Sequence, residues 1–220
     1  MSEALRSLEG AGIERPTRRS RKTRAELIDA ALAVLAESGM DGLTVKAVTV
    51  RADVGHGTFY HHFASTEEVL VAAIESSTRA MAEELATELA DADDKAFVLI
   101  HSLGRTYRAL CAHPALAWMI ERPLVLSESI RNAVEPFAVR DLEALVATGE
   151  VDAALAARSF PQWQFLMLGA LSRALEPGAD LAVLESNLVE ISLRTLAIGE
   201  ARIEELVARH RAAAAEEGRR

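Results

Sequence analysis

Apolar residues recur at spacings of three and four along nearly the whole chain. No run alternates apolar and polar residues with the period of two that a half-buried strand requires. Ala, Leu, Glu and Arg, all sound helix formers, dominate the periodic stretches. A chain patterned in this way is expected to be all-α, with about nine helices. At 220 residues it can bury a core without staples.

The first helix is expected from about Lys22 to Ser38, with Leu27, Ile28, Ala31, Val34 and Leu35 on one face and Gly39 as its stop. Thr44 is a good N-cap for a short helix to about Arg51, and another short helix follows from about Gly55 to His62. Ser65 or Thr66 caps a long fourth helix, with Glu67 and Glu68 in the first turn, where the helix dipole favours acids. Five more helices are expected beyond it. One starts at Asp93 or Asp94 and ends near Pro114, and a short one covers Ala115 to Ile120. Another begins at Ser127 and kinks or breaks at Pro136. The eighth spans about Asp152 to Leu175, a Glu176-Pro177-Gly178 turn follows, and the ninth runs from Asp180 to about His210.

No apolar run is long enough to span a membrane, and the N-terminus lacks the apolar core of a signal peptide. A lone cysteine, Cys111, cannot form an intramolecular disulfide, which fits a reducing cytoplasm. The net charge of −9 argues against nucleic acid until its distribution is considered. Residues 1–64 hold nine basic and eight acidic side chains, so nearly all of the negative excess lies further along. Arg15, Arg18, Arg19, Arg21, Lys22 and Arg24 fall within ten residues that contain no acid. Such a cluster is either a solvated arm or a phosphate-neutralising one.

Thr44 to Phe63 reads as short helix, tight turn, short helix, the geometry that lays a second helix in the DNA major groove. Val45, Val48, Ala52, Val54, Phe59 and Phe63 can pack as a small core. That leaves Lys46, His56, Thr58, Tyr60 and His61 facing outward, and Gly57 permits close approach of a backbone. Adjacent His61 and His62 point in different directions on a helix, with no Cys or paired carboxylate at ligand spacing, so no metal is expected there.

At these residues the sequence resembles the tetracycline-repressor (TetR) family, over about Lys22 to Leu70. The resemblance rests on Ser38-Gly39, on Leu43-Thr44-Val45, on the string Gly57-Thr58-Phe59-Tyr60-His61-His62-Phe63, and on Ser65 to Leu70. It implies a homodimeric transcriptional regulator, commonly a repressor, which binds a palindromic or pseudo-palindromic double-stranded operator. Release by a small-molecule effector, and no cofactor, are implied as well. The implied organisation is a flexible basic arm at 1–20 and a helix-turn-helix domain at 21–65. A helical ligand-binding and dimerisation domain at 66–212 and a frayed tail at 213–220 complete it. The DNA contacts implied are Arg18, Arg19, Arg21, Lys22, Thr44, Lys46, His56, Gly57, Thr58, Tyr60, His61 and Thr66.

Four positions depart from the family's pattern. Thr49 stands where Ala is usual, and Asp53 stands where Gly makes the turn, although Asp tolerates the left-handed conformation. Gly55 replaces a Ser N-cap, at a cost of a few tenths of a kcal/mol. Thr66 replaces a phosphate-reaching Lys, and Gly55 to Phe63 holds no Lys or Arg at all. The arm, with Lys46 and Arg51, must then provide most of the electrostatic attraction. His56 and His61 would make affinity rise as pH falls through about 6.5, the usual imidazole range.

The middle helices carry large side chains suited to an adaptable apolar pocket: Phe97, His101, Tyr107, Trp118, Met119, Phe137, Trp163 and Met167. Each of them can equally be plain core. Arg105, Arg108 and Arg140 are candidates to meet an anionic group. For a dimer interface the candidates are Phe165, Gly169 and Ser172 on the eighth helix and Leu184, Leu188 and Ile191 on the ninth. A second stripe, Leu193, Leu196, Ile203 and Val207, suits the protomer's own core.

An enzyme is the rival class. The sequence has no Gly-rich phosphate loop, nucleophile elbow or zinc motif, and Cys111 has no sequence-local base. A third reading is a helical ligand-binding protein with weak or lost DNA binding, suggested by Thr66 and the cation-free third helix, and a fourth is a regulator with no ligand or one read through a protein partner.

Overall fold

The computed structural model describes residues 17–219, which form eleven α-helices and, among the described residues, no strand. In chain order they are α1 (Arg18–Gly42), α2 (Val45–Arg51), α3 (His56–His62), α4 (Thr66–Glu88), α5 (Lys95–Cys111) and α6 (Leu116–Ile120). Then follow α7 (Pro123–Ala133), α8 (Glu135–Ala147), α9 (Ala153–Ala174), α10 (Leu181–Thr195) and α11 (Glu200–Glu217). None of them is long and apolar enough to cross a membrane.

The all-α expectation holds, and the two extra helices have local causes. The stretch around Pro136 divides into α7 and α8 at Val134, because Pro136 sits in the first turn of α8, where its missing N–H is harmless. The expected ninth helix divides at Ala197, which adopts φ 55, and α11 restarts from Gly199. That helix continues to Glu217, so the frayed tail expected from 213 is folded helix over most of its length. At the other end, Thr17 accepts a hydrogen bond from Ser20 N–H at 3.1 Å and starts α1 four residues earlier than Lys22. Arg18, Arg19, Arg21 and Lys22 therefore stand on a helix rather than in a flexible arm. Arg15 lies outside the described residues. Gly39 breaks α1 as expected: at φ 64, ψ −166 it occupies a region open essentially to glycine alone.

Two apolar clusters make the core. One lies under α1 to α7 and includes Leu27, Val48, Phe59, Phe63, Leu70, Leu110 and Met119. The other joins α5 and α8 to α11 through Leu99, Ile100, Leu145, Trp163, Leu193 and Leu206. Helix α5 takes part in both, its C-terminal half in the first and its N-terminal half in the second.

Candidate DNA-binding surface and ligand cavity

Thr44 caps α2 by accepting from Ala47 N–H at 3.1 Å. The turn after α2 is a Schellman motif. Asp53 takes φ 52, Val54 N–H donates to Thr49 O at 3.0 Å and Asp53 N–H donates to Val50 O at 3.3 Å. Asp thus makes the left-handed turn that glycine makes elsewhere. Thr49 is buried and sends its hydroxyl to Lys46 O at 3.1 Å, so its extra polar atom is satisfied within its own helix. Gly55 provides no side-chain cap for α3. Packing holds that helix instead: Phe59 and Phe63 are fully buried, with ring centroids 5.9 Å apart.

With those two rings turned inward, α3 exposes His56, Gly57, Tyr60 and His61, and Thr58 is half-buried. Tyr60 packs edge-on against Phe59. Lys46 is exposed on α2, and so is Val50, an apolar side chain that sequence reasoning does not single out. Arg19, Ser20 and Thr23 of α1 share a shallow recess with Asp53, Thr58 and His61, which brings the basic start of α1 beside α3. Not every cation there is free. Arg51 is paired with Glu37 at 2.7 Å, Lys22 lies 3.5 Å from Glu26, and Arg24 lies over the Phe63 ring. Burial, then the neighbouring His61 and Arg24, push the pKa of His62 below the ordinary imidazole value. Thr66 opens α4 behind a capping-box-like start in which Ser65 accepts from Glu68 N–H at 3.2 Å and Glu68 accepts from Ala64 N–H at 2.6 Å.

A cavity of about 80 Å³ lies between α4, α5, α7, α8 and α9. A single water needs about 10–15 Å³ on the same scale, so the space suits one small ring-sized molecule. Of the eight sequence candidates, Phe137, Trp163 and Met167 line it, together with Leu85, Leu99, Leu103 and Phe160. Trp163 donates its indole N–H outward to Thr195 Oγ1 at 2.9 Å and leaves only its ring to the cavity. The polar wall is Ser102, Thr106, Glu135, Arg140, Asp141 and Gln164, of which only Arg140 stands out in the sequence, as a cation. Asp141 is buried. Its Oδ1 accepts from Arg140 at 2.6 and 3.1 Å, whereas its Oδ2 has only Ser102 Oγ at 3.5 Å. One carboxylate oxygen is therefore open to a further donor. Gln164 is engaged at both ends, by Ser127 and Glu135.

The other five candidates stand away from this cavity. Trp118 and Met119 belong to α6, which packs on α7 and α9 with Met119 in the core and Arg122 over the Trp118 ring. Tyr107 is fully buried and borders a groove between α5, α10 and α11. Phe97 is stacked between His101 and Arg209, and His101 points toward α11 rather than α8. Arg105 and Arg108 are likewise occupied, by Glu88, Glu185 and Glu217. No sequence-local signal could have brought these groups together.

Of the interface candidates, Phe165, Gly169, Ser172 and Ile191 are exposed and Leu184 is half-buried. Leu188 is 3 % exposed and belongs to the protomer's core instead, because its side of α10 faces α5 and α9. Leu175, Leu181 and Val183 extend the exposed apolar surface of α9 and α10. The stripe Leu193, Leu196, Ile203 and Val207 is buried within the protomer, as expected.

The described residues thus form an N-terminal helix-turn-helix set on a larger helical body that holds a cavity. Residues 27–73 match the profile described as bacterial regulatory proteins, tetR family. The HTH-type transcriptional repressor KstR of Mycolicibacterium smegmatis is 39% identical over 54 residues, which span 24% of this chain and 26% of the repressor. The match thus covers about a quarter of that relative's length. RolR in complex with resorcinol superposes with TM-score 0.74 at 24% identity, over 87% of this chain and 95% of that one. Thermus thermophilus FadR, a TetR-family repressor in complex with lauroyl-CoA, superposes with TM-score 0.57 at 18% identity, over 80% and 96%. The chain has the tetR-family fold and carries that family's N-terminal sequence at residues 27–73.

Proposed function

We propose that the protein is a homodimeric, DNA-binding transcriptional repressor that a small amphipathic molecule releases from its operator. The observation that carries the reading is the exposed face of α3, with His56, Thr58, Tyr60 and His61 set beside the basic start of α1. Helix α3 supplies register and base contacts, and α1 supplies phosphate contacts. The exposed apolar surface of α9 and α10, centred on Phe165 and Ile191, pairs with the same surface of a second copy. Such a pair presents two α3 helices to successive major grooves.

The effector enters the cavity beside Asp141. Its size favours a compact ring over a long acyl chain, and the open Asp141 oxygen favours a ligand hydroxyl. Similarity to RolR, whose structure holds resorcinol, supports the same class. Selection of bound sequences from random DNA, repeated with small phenols and with acyl thioesters, tests the whole reading. A two-fold-symmetric site lost on addition of a phenol is expected. No enrichment at low salt would overturn it.

A second reading, a ligand-binding protein with weak DNA affinity, draws on the pairing of Arg51 with Glu37 and the absence of Lys and Arg from α3. Band shifts against the upstream DNA at low salt separate the two.

A further inference from the structure

Two buried histidines meet where α11 docks on α5; neither lines the cavity and neither belongs to α3. His101 on α5 is 3 % exposed and His210 on α11 is 1 % exposed. Their Nδ1 atoms lie 3.1 Å apart. Each ring turns its other nitrogen to a carboxylate: His101 Nε2 lies 3.1 Å from Glu217 Oε1, and His210 Nε2 lies 2.7 Å from Glu185 Oε1.

Hydrogen counting restricts this arrangement. An ionised carboxylate only accepts, so each Nε2 must carry a hydrogen. The contact between the Nδ1 atoms needs one donor and one acceptor. Three N–H groups are therefore required, and two neutral imidazoles provide two. Without an extra proton, either two lone pairs face each other at 3.1 Å or one lone pair faces a carboxylate. With two extra protons, two N–H groups oppose each other. Either mismatch is expensive in a buried site.

The surrounding charges agree with that count. Arg108 of α5 bridges Glu185 of α10 and Glu217 of α11, and Arg105 of α5 joins Glu217 to Glu88 of α4. Three carboxylates face two guanidiniums, which leaves one negative charge for a proton to cancel. Tyr107 and Cys111 of α5 stand near Glu185, and burial pushes both of their pKa values up, so neither adds charge. From α11, Arg211 donates to Ser186 Oγ at 2.9 Å, and Arg209, paired with Asp94 and Glu205, lies over the Phe97 ring that stacks on His101. Burial, followed by the repulsion of His210, pushes His101 below the ordinary imidazole value, against the opposing pull of Glu217.

We infer that His101 and His210 hold one extra proton between them and that this proton latches α11 onto α5 and α10, making the junction a pH-sensitive element of the fold. The native pair keeps one proton across the range in which two unfolded histidines pass from two protons to none, around pH 6.5. Below that pH the unfolded chain binds more protons, so the pair's contribution to stability rises with pH. Above it the unfolded chain binds fewer, so the contribution falls. The contribution therefore peaks near pH 6.5.

Histidine ¹⁵N NMR of the full chain tests the count directly. His56, His61, His62 and His113 are assigned by single Gln substitutions, which leave the pair intact. Three ring N–H signals for the remaining two rings, with one hydrogen bond between Nδ1 atoms, are expected at about pH 7. Two signals from ordinary neutral rings would overturn the inference. As a second measurement, the Tm difference between the native chain and His210→Gln should be largest near pH 6.5. A difference independent of pH, between about pH 5 and 8, would reduce the pair to packing alone.

Discussion

Gly104 and His210 are fitted to each other across the α5–α11 junction: a Cβ at position 104 would overlap the His210 ring and lie 2.7 Å from Glu185 Oε1. Glycine is required here for close approach and not for a special backbone angle, since Gly104 lies inside α5. Gly104→Ala should therefore destabilise the protein by about 1–3 kcal/mol, although alanine is the better helix former. Urea unfolding should show a lower midpoint with an unchanged m-value. A stabilised variant would mean that α11 sits elsewhere.

Asp94 ties the same two helices at the other end of α5. It caps α5 by accepting from Phe97 N–H at 3.1 Å and also receives Arg202 and Arg209 of α11. Burial alone would raise its pKa, but the cap hydrogen bond and the two guanidiniums outweigh it, so the net shift is downward. A carboxylate depressed in the folded state contributes stability that is present above its unfolded value, about 3.9, and is lost as pH falls through the folded value. Asp94→Ala, which removes cap and charge together, should cost more than Asp94→Asn, which keeps an acceptor for the cap. Thermal unfolding at about pH 7 and again below about pH 3 checks this: the penalty of the Asn variant should vanish in acid.

The helix-turn-helix was legible because its signals are local. Thr44 caps, Phe59 and Phe63 pack, and Asp53 marks the turn, all within twenty residues. The start of α1 was obscured because a run of cations reads as a solvated arm, while the Thr17 cap that makes it helical is a single residue. The cavity was half legible. Its aromatic wall stands out by residue type, but Asp141 gains meaning only when Ser102, some forty residues away, is placed beside it. The latch was invisible, since His101 and His210 are joined only by the tertiary fold.

The break between α10 and α11 was hidden for a different reason. Alanine is the strongest helix former, yet Ala197 adopts φ 55. Burial of Leu193, Leu196, Ile198 and Ile203 on either side compels the turn. An L-residue in this conformation costs about 1–2 kcal/mol, and glycine returns part of that to unfolded-state entropy. Ala197→Gly should accordingly stabilise the protein by about 0.5–1 kcal/mol. A loss of stability in denaturant titration would argue for a continuous helix there.

Ligand recognition should depend on Asp141 more than on any apolar wall residue. Asp141→Asn keeps the shape but replaces a charged acceptor, and hydrogen bonds to charged groups are worth about 1.5–3 kcal/mol. Binding of a small phenol, followed by calorimetry, should weaken about 10- to 100-fold. Binding of a hydrocarbon of the same size should change little. Equal losses for both would point to collapse of the cavity rather than loss of a hydrogen bond.

DNA affinity should divide between α1 and α3 in a way that salt reveals. Arg19 and Lys46 are exposed and paired with no acid among the described residues, whereas Arg51 is held by Glu37. Arg19→Ala and Lys46→Ala should each flatten the dependence of log affinity on log salt by about 0.9 for each phosphate left without its cation. They should weaken all sequences alike, and Arg51→Ala should do so less. Tyr60→Ala, on the exposed face of α3, should leave the salt slope unchanged and relax sequence preference at the bases it meets. A Tyr60 variant that altered the slope while keeping its specificity would reverse the assignment of grip to α1 and reading to α3.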